Sequence, residues 1–231
     1  MQRWHVHRQK YLISLSTTER RMNITAFRYR FIRYLEPIAE ICKRAGLSPN
    51  IITILSILTG CICSVSYILH SYFIGSLFLF CSAILDLVDG SVARMTGRET
   101  RFGAVFDWIA DKYVDTIVLL GVGLSGIPII SGFLKISPVW DFGIVAVAII
   151  GSMMNTFIKP VTYAEIGFTE RKEGKIDDPL EGIGFFGRPE TVLVLVLGGL
   201  TGFIWISVLI IALCTNLSAL QRIVYLYRRY S

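Results

Sequence analysis

Charge is what this sequence has least of. Only 17% of its 231 residues are charged, against 53% hydrophobic, and mean hydropathy is +0.59. A soluble domain carries about a quarter charged residues, so an ordinary soluble domain is excluded and a polytopic membrane protein is implied. Histidine is scarce, with three residues. His5 and His7 sit in a polar, basic tail and read as solvated rather than as metal ligands. The five cysteines (Cys42, Cys61, Cys63, Cys81, Cys214) include no C-x-x-C pair. Cys61-x-Cys63 is not a zinc spacing, and all five lie in or near apolar segments, where they read as reduced packing residues. The first twenty residues lack an apolar core followed by a small-residue cleavage site, which predicts no cleavable signal peptide. Internal repeats and low-complexity tracts are lacking too. The net charge of +6 is compatible with nucleic-acid binding by sign alone. Here the basic residues flank apolar runs, so positive-inside topology accounts for them and no nucleic acid is expected.

The apolar runs predict six spans, near 50–69, 72–94, 103–126, 139–165, 188–201 and 203–226. A span needs about twenty residues, so the fifth is short. Ahead of them, 24–45 reads as an amphipathic helix. Phe27, Phe31, Tyr34, Leu35, Ile38 and Ile41 recur at helical spacing beside Arg28, Arg30, Arg33, Lys43 and Arg44, a pattern suited to the membrane interface. Pro37 is expected to kink or divide it, and Gly46-Leu47-Ser48-Pro49-Asn50 to end it. The expected fold is an all-α integral membrane protein of six transmembrane helices plus this interfacial helix. A polar tail occupies 1–21 and the transmembrane domain 22–231. With the N-terminus inside, twenty of the 23 Lys and Arg residues fall on inner segments and one, Lys135, on an outer loop. Lys112 and Lys159 fall within spans. Both termini, the turn after the second span and the 169–187 loop are therefore expected on the cytoplasmic side of the cell membrane.

Against this background, five aspartates stand within thirty residues. Four form an ordered pattern: Asp86-x-x-Asp89-Gly90-x-x-Ala93-Arg94, eight residues, then Gly103-x-x-x-Asp107-x-x-x-Asp111. Spacings of three and four put each pair on one helical face. Thr96-Gly97-Arg98 turns the chain, so the pairs face each other just inside the cytoplasmic boundary. A carboxylate at membrane depth costs a few kcal/mol or more, about the same again for each one added. Hard divalent cations with oxygen ligands offset that cost, Mg²⁺ above all, with Mn²⁺ as the alternative. Two ions held by shared carboxylates form the arrangement that clamps a transferring phosphoryl group. Gly90, Ala93 and Gly103 allow either close helix approach or a ligand lying against backbone. Arg94 is placed to meet a phosphate or an acid. Salt bridges to Lys112, Arg94 and Lys159 are the plainer account of the acids. Asp115, on the same stripe, reads as a supporting or lysine-pairing residue.

At these residues the chain resembles the CDP-alcohol phosphotransferase family, whose motif D-x2-D-G-x2-A-R-x8-G-x3-D-x3-D is met at every fixed position. The wider resemblance covers roughly 22–226. It implies a magnesium-dependent enzyme of phospholipid biosynthesis, a homodimer, that displaces CMP from a CDP-linked lipid with an alcohol. By that resemblance Asp86, Asp89 and Asp107 would hold two metal ions, with Asp111 a shared ligand or the general base. Gly90, Ala93, Arg94 and Gly103 would line the CDP site, with Asn50 and Thr53 from the first span approaching the nucleotide. Asp111 lies deepest from the turn, which makes it the better candidate base.

The acceptor is less legible. Lys159 in the fourth span, Arg188 opening the fifth and Arg222 in the sixth are three cations near one face. Together they can surround a phosphate, or each can extend to the interface alone. A phosphate pocket implies a phosphorylated polyol. The stretch 184–195 resembles family members that use inositol 1-phosphate, although Arg188-Pro189-Glu190 replaces a glutamate–arginine order. Glycerol 3-phosphate or another alcohol is the alternative acceptor, and the donor lipid is diacyl or archaeal ether-linked. A divalent-cation carrier is the distant alternative. It should place acids at mid-membrane, and the outer halves of the spans carry none except Asp141 near an edge.

Overall fold

The computed structural model describes residues 28–166, 171–172, 175–176, 180 and 182–230. The polar tail 1–21, the first residues of the interfacial helix and parts of the 169–187 loop lie outside the described residues. Seven helices are present among the described residues: α1 (Arg28–Arg44), α2 (Pro49–Ile68), α3 (Tyr72–Thr96), α4 (Arg101–Leu124), α5 (Val139–Ile166), α6 (Arg188–Thr201) and α7 (Ile204–Tyr230). A two-residue antiparallel pairing of Arg171–Lys172 with Lys175–Ile176 lies between α5 and α6.

Helix α1 runs unbroken through Pro37, which corrects the expectation that this proline divides it. The hydrogen bond that proline removes is offset by packing: Leu35 and Ala39 are buried against Ile52 of α2 and Val88 and Val92 of α3. Ser48 caps α2, accepting from the Ile51 N–H at 3.4 Å. Gly97 ends α3 in the left-handed region, φ 63°, a conformation glycine adopts without steric cost. The chain reverses there, and Thr100 caps α4 by accepting from the Gly103 N–H at 2.9 Å.

Helices occupy all six segments predicted as spans. Four of them, α2, α3, α5 and α7, are long and apolar enough to cross a membrane. Helix α4 carries Asp107, Asp111, Lys112 and Asp115 along its first half, and α6 has 14 residues. Large apolar side chains such as Leu58, Phe73, Ile74, Leu213 and Leu220 are exposed on the outside, as expected where lipid is the solvent.

Helix α2 is the hub. It packs along both α3 and α4, which scarcely touch each other, while α5 packs on α7 and α6 joins α3 to α7. Lipid supplies no hydrophobic force between helices, so small residues and buried hydroxyls set these contacts. A Cβ on Gly121 of α4 would lie 2.7 Å from the Ser64 carbonyl oxygen and 2.8 Å from its Cα. Ser56 and Ser82 donate to each other's carbonyls at 2.9 and 2.8 Å, tying α2 to α3.

Candidate active site

The acids meet at the inner ends of α3 and α4. Asp86, Asp107 and Asp111 each offer a carboxylate oxygen, and these oxygens lie within 4.8 Å of one another. Because α3 and α4 both lean on α2 rather than on each other, the acids line a gap instead of a helix–helix seam. Asp89 turns to the other side of α3, is buried, and accepts from Thr53 Oγ1 at 2.6 Å. That contact joins the start of α2 to the acid-bearing face.

The small residues of the motif border open space. An added Cβ on Gly90 would meet only Arg94 Nη1, at 3.5 Å, and one on Gly103 only Thr100 Oγ1 at 3.0 Å and Asn50 Oδ1 at 3.8 Å. Close helix approach, one of the two sequence readings of Gly90, Ala93 and Gly103, does not occur there. The other reading, backbone left accessible to a ligand, agrees with the open space. Asn50, Thr53, Asp89 and Gly103 are thus brought to one side of the gap. Arg94 is exposed and donates to Ser91 Oγ at 3.2 Å.

Arg188 reaches the same acids from α6. Its guanidinium lies 2.6 Å from Asp86 Oδ2, 2.9 Å from Asp111 Oδ1 and 3.3 Å from Asp115 Oδ1. Lys112 Nζ holds the other Asp115 oxygen at 2.5 Å, so the lysine-pairing reading of Asp115 matches the structure. Sequence reasoning gave Arg188 to the acceptor and missed its contact with the carboxylates. A hundred residues separate the partners, and no periodicity links them.

The donor set fits a divalent cation. Three carboxylates converge, and with Asp115 they outnumber Arg188 and Lys112, which leaves net negative charge. Asp111 Oδ1 is buried with no hydrogen-bond donor on it, although Arg188 stands beside it as an ion pair. Oxygen ligands of this kind suit Mg²⁺ or Mn²⁺.

Of the other two predicted cations, Lys159 is half-buried on α5. Arg222 is buried on α7 and belongs to a second polar cluster. It donates through Nε to the Ile183 carbonyl at 2.7 Å and through Nη1 to the Asn155 carbonyl. Asn155 donates in turn to the Phe186 carbonyl at 2.7 Å. Neither Asn155 nor Ser218 was singled out from sequence. Their signal was a polar side chain in an otherwise apolar run.

Comparison with known proteins agrees with this geometry. The family model for CDP-alcohol phosphatidyltransferase matches residues 46–218. The chain is similar to the archaetidylinositol phosphate synthase of Pyrococcus horikoshii, 26% identical over 82% of this chain and 88% of that one. It is 25% identical to the Methanothermobacter thermautotrophicus enzyme of the same name, over 89% of this chain and 95% of that one. Its fold is shared with Mycobacterium tuberculosis phosphatidylinositol phosphate synthase solved with CDP-DAG bound, at TM-score 0.66 and 22% identity, covering 84% and 94% of the two chains. That same protein has also been solved in complex with manganese and citrate. Apolar helices, converging carboxylates and a family match over most of the length lead to one conclusion: the chain belongs to the CDP-alcohol phosphatidyltransferase family, and it is a membrane enzyme of phospholipid biosynthesis.

Proposed function

We propose that the acceptor alcohol is inositol 1-phosphate and that the product is an inositol phosphate lipid. The observation that carries this is Arg188, whose guanidinium at the start of α6 lies 2.6 Å from Asp86 and 2.9 Å from Asp111. It brings a phosphate-binding group to the reacting acids, at a helix N-terminus that itself favours anions. The two archaeal relatives matched over most of their length, both named for inositol phosphate synthesis, support the choice.

Asp86, Asp89, Asp107 and Asp111 are the residues that would hold two Mg²⁺ or Mn²⁺ ions, whose charge offsets that of the diphosphate and stabilises departing CMP. Asp111 takes the proton of the acceptor hydroxyl. The hydroxyl oxygen forms a bond to the lipid-bearing phosphorus as the bond from that phosphorus to CMP breaks. Asn50, Thr53, Gly90, Ala93, Arg94 and Gly103 receive the CDP moiety along the open backbone. Lys159 and Arg188 face the acceptor's phosphate. The sequence placed Arg222 with them, but its hydrogen bonds to carbonyls suggest a different task, taken up below.

In the membrane, all six long segments from α2 to α7 cross, α4 with its charges turned toward the gap and α6 by virtue of its neighbours. The transmembrane domain comprises 22–231, both termini and the acid cluster face the cytoplasm, and two copies associate as a homodimer. The deciding experiment is CMP release by the purified protein with Mg²⁺, a CDP-linked lipid and a panel of acceptors, the products identified by mass. Inositol 1-phosphate should be turned over, and chelation should stop the reaction until Mg²⁺ or Mn²⁺ is restored. Turnover with glycerol 3-phosphate alone would move the assignment to that acceptor.

A further inference from the structure

We infer that Arg222, Asn155 and Ser218 form a clamp on the 183–187 segment that aims Arg188 at the aspartates; Arg222 is a positioning residue and not part of the phosphate pocket. The inference rests on the proposed role of Arg188. Three side chains from two helices grip five residues of backbone. Arg222 Nε donates to the Ile183 carbonyl at 2.7 Å. Asn155 Nδ2 donates to the Phe186 carbonyl at 2.7 Å. The Phe186 N–H reaches Ser218 Oγ at 3.4 Å. Arg222 also donates to the Asn155 carbonyl, which locks α5 to α7 behind the segment.

The segment is pressed onto this cluster. Gly184 has φ +98°, and a Cβ there would lie 2.5 Å from Ser218 Oγ and 3.0 Å from Arg222 Nε. At the far end, Gly187 donates to Glu190 Oε2 at 2.9 Å and its carbonyl accepts from Thr191 Oγ1 at 3.0 Å, which fixes the first turn of α6. Arg188 is the next residue, so its backbone is held from both sides. A buried arginine normally requires an acid. Here carbonyl oxygens from two segments accept its hydrogen bonds, an arrangement that orders backbone.

The test measures Mn²⁺ affinity by electron paramagnetic resonance in detergent, together with kcat and KM for CMP release, in five proteins: wild type, Arg188→Ala, Arg222→Ala, Asn155→Leu and the Arg188→Ala/Arg222→Ala double variant. Arg188 shares Asp86 and Asp111 with any bound cation, so Arg188→Ala should tighten Mn²⁺ by about tenfold, the scale of effects from groups surrounding metal ligands. Arg222→Ala and Asn155→Leu should shift it the same way, and both should raise the acceptor KM more than they lower kcat. The double variant should be no worse in kcat/KM than Arg188→Ala alone. Unchanged Mn²⁺ affinity in Arg222→Ala and Asn155→Leu, or a multiplicative loss in the double variant, would overturn the clamp. If Arg222→Ala does not fold, Asn155→Leu and Arg222→Lys decide by the same readouts. A wild-type protein inert toward inositol 1-phosphate would sink the proposed acceptor, while the Mn²⁺ measurements would still test the clamp.

Discussion

Two side chains show how much this site asks of single residues. Asp111 is paired with Arg188 at 2.9 Å, yet its buried Oδ1 receives no hydrogen bond, so one oxygen remains able to accept a proton. Asp111→Asn keeps the volume and removes that capacity. We expect kcat to fall by about 10²–10⁴-fold, the usual contribution of a general base, with the KM for CDP-lipid nearly unchanged. Lost CDP-lipid binding would instead make Asp111 chiefly a metal ligand. Thr53 is the second case. Its hydroxyl is the donor on Asp89 Oδ2 at 2.6 Å, and both residues are buried. Thr53→Val should lower the thermal midpoint in detergent by an amount corresponding to about 1–3 kcal/mol, the cost of leaving a buried acceptor unmatched. An unshifted midpoint would mean that Asp89 finds another donor.

At the scale of elements, the site depends on a helix that carries none of its acids. Helices α3 and α4 bring Asp86 and Asp111 together because both are seated on α2. The seat for α4 is Gly121, whose hydrogen points into the Ser64 backbone with no room for a methyl group. Gly121→Ala should destabilise the protein by about 1–3 kcal/mol, as overpacking does. It should also reduce CMP release, because Asp107 and Asp111 ride on the displaced helix. Gly143 of α5 is the matched control. Nothing lies within 4 Å of a Cβ built there, so Gly143→Ala should be neutral or gain up to about 1 kcal/mol from helix propensity. Similar losses in both variants would show that the α2–α4 contact does not govern the site.

At the scale of the whole molecule, apolar residues line the outside and the polar groups converge at one end. A lipid-facing exterior and a cluster of charges at one depth are compatible only with a fixed orientation in the bilayer. If the aspartate end is cytoplasmic, a cysteine at Arg98, in the α3–α4 turn, should react with a membrane-impermeant thiol reagent only after the membrane is opened. A cysteine at Lys135, in the α4–α5 connection, should react in intact cells. The reverse pattern would invert the topology. The native cysteines must first be replaced; all five are free thiols, and Cys81 is exposed.

The motif determined the reaction class by itself, because eight positions at fixed spacing encode two helical faces, a turn and a charge cluster that requires cations. Apolar periodicity likewise placed the six helices, since the bilayer ties span length to hydropathy. Tertiary structure alone decided who partners the charges. The Arg188–Asp86 ion pair joins residues 102 apart, and Arg222 bonds to backbone oxygens that any sequence would supply. Backbone acceptors leave no mark on composition, and a side chain's partner in space follows from how helices seat on one another. For that reason Arg222 read as a phosphate ligand in the sequence and as a holder of backbone in the fold.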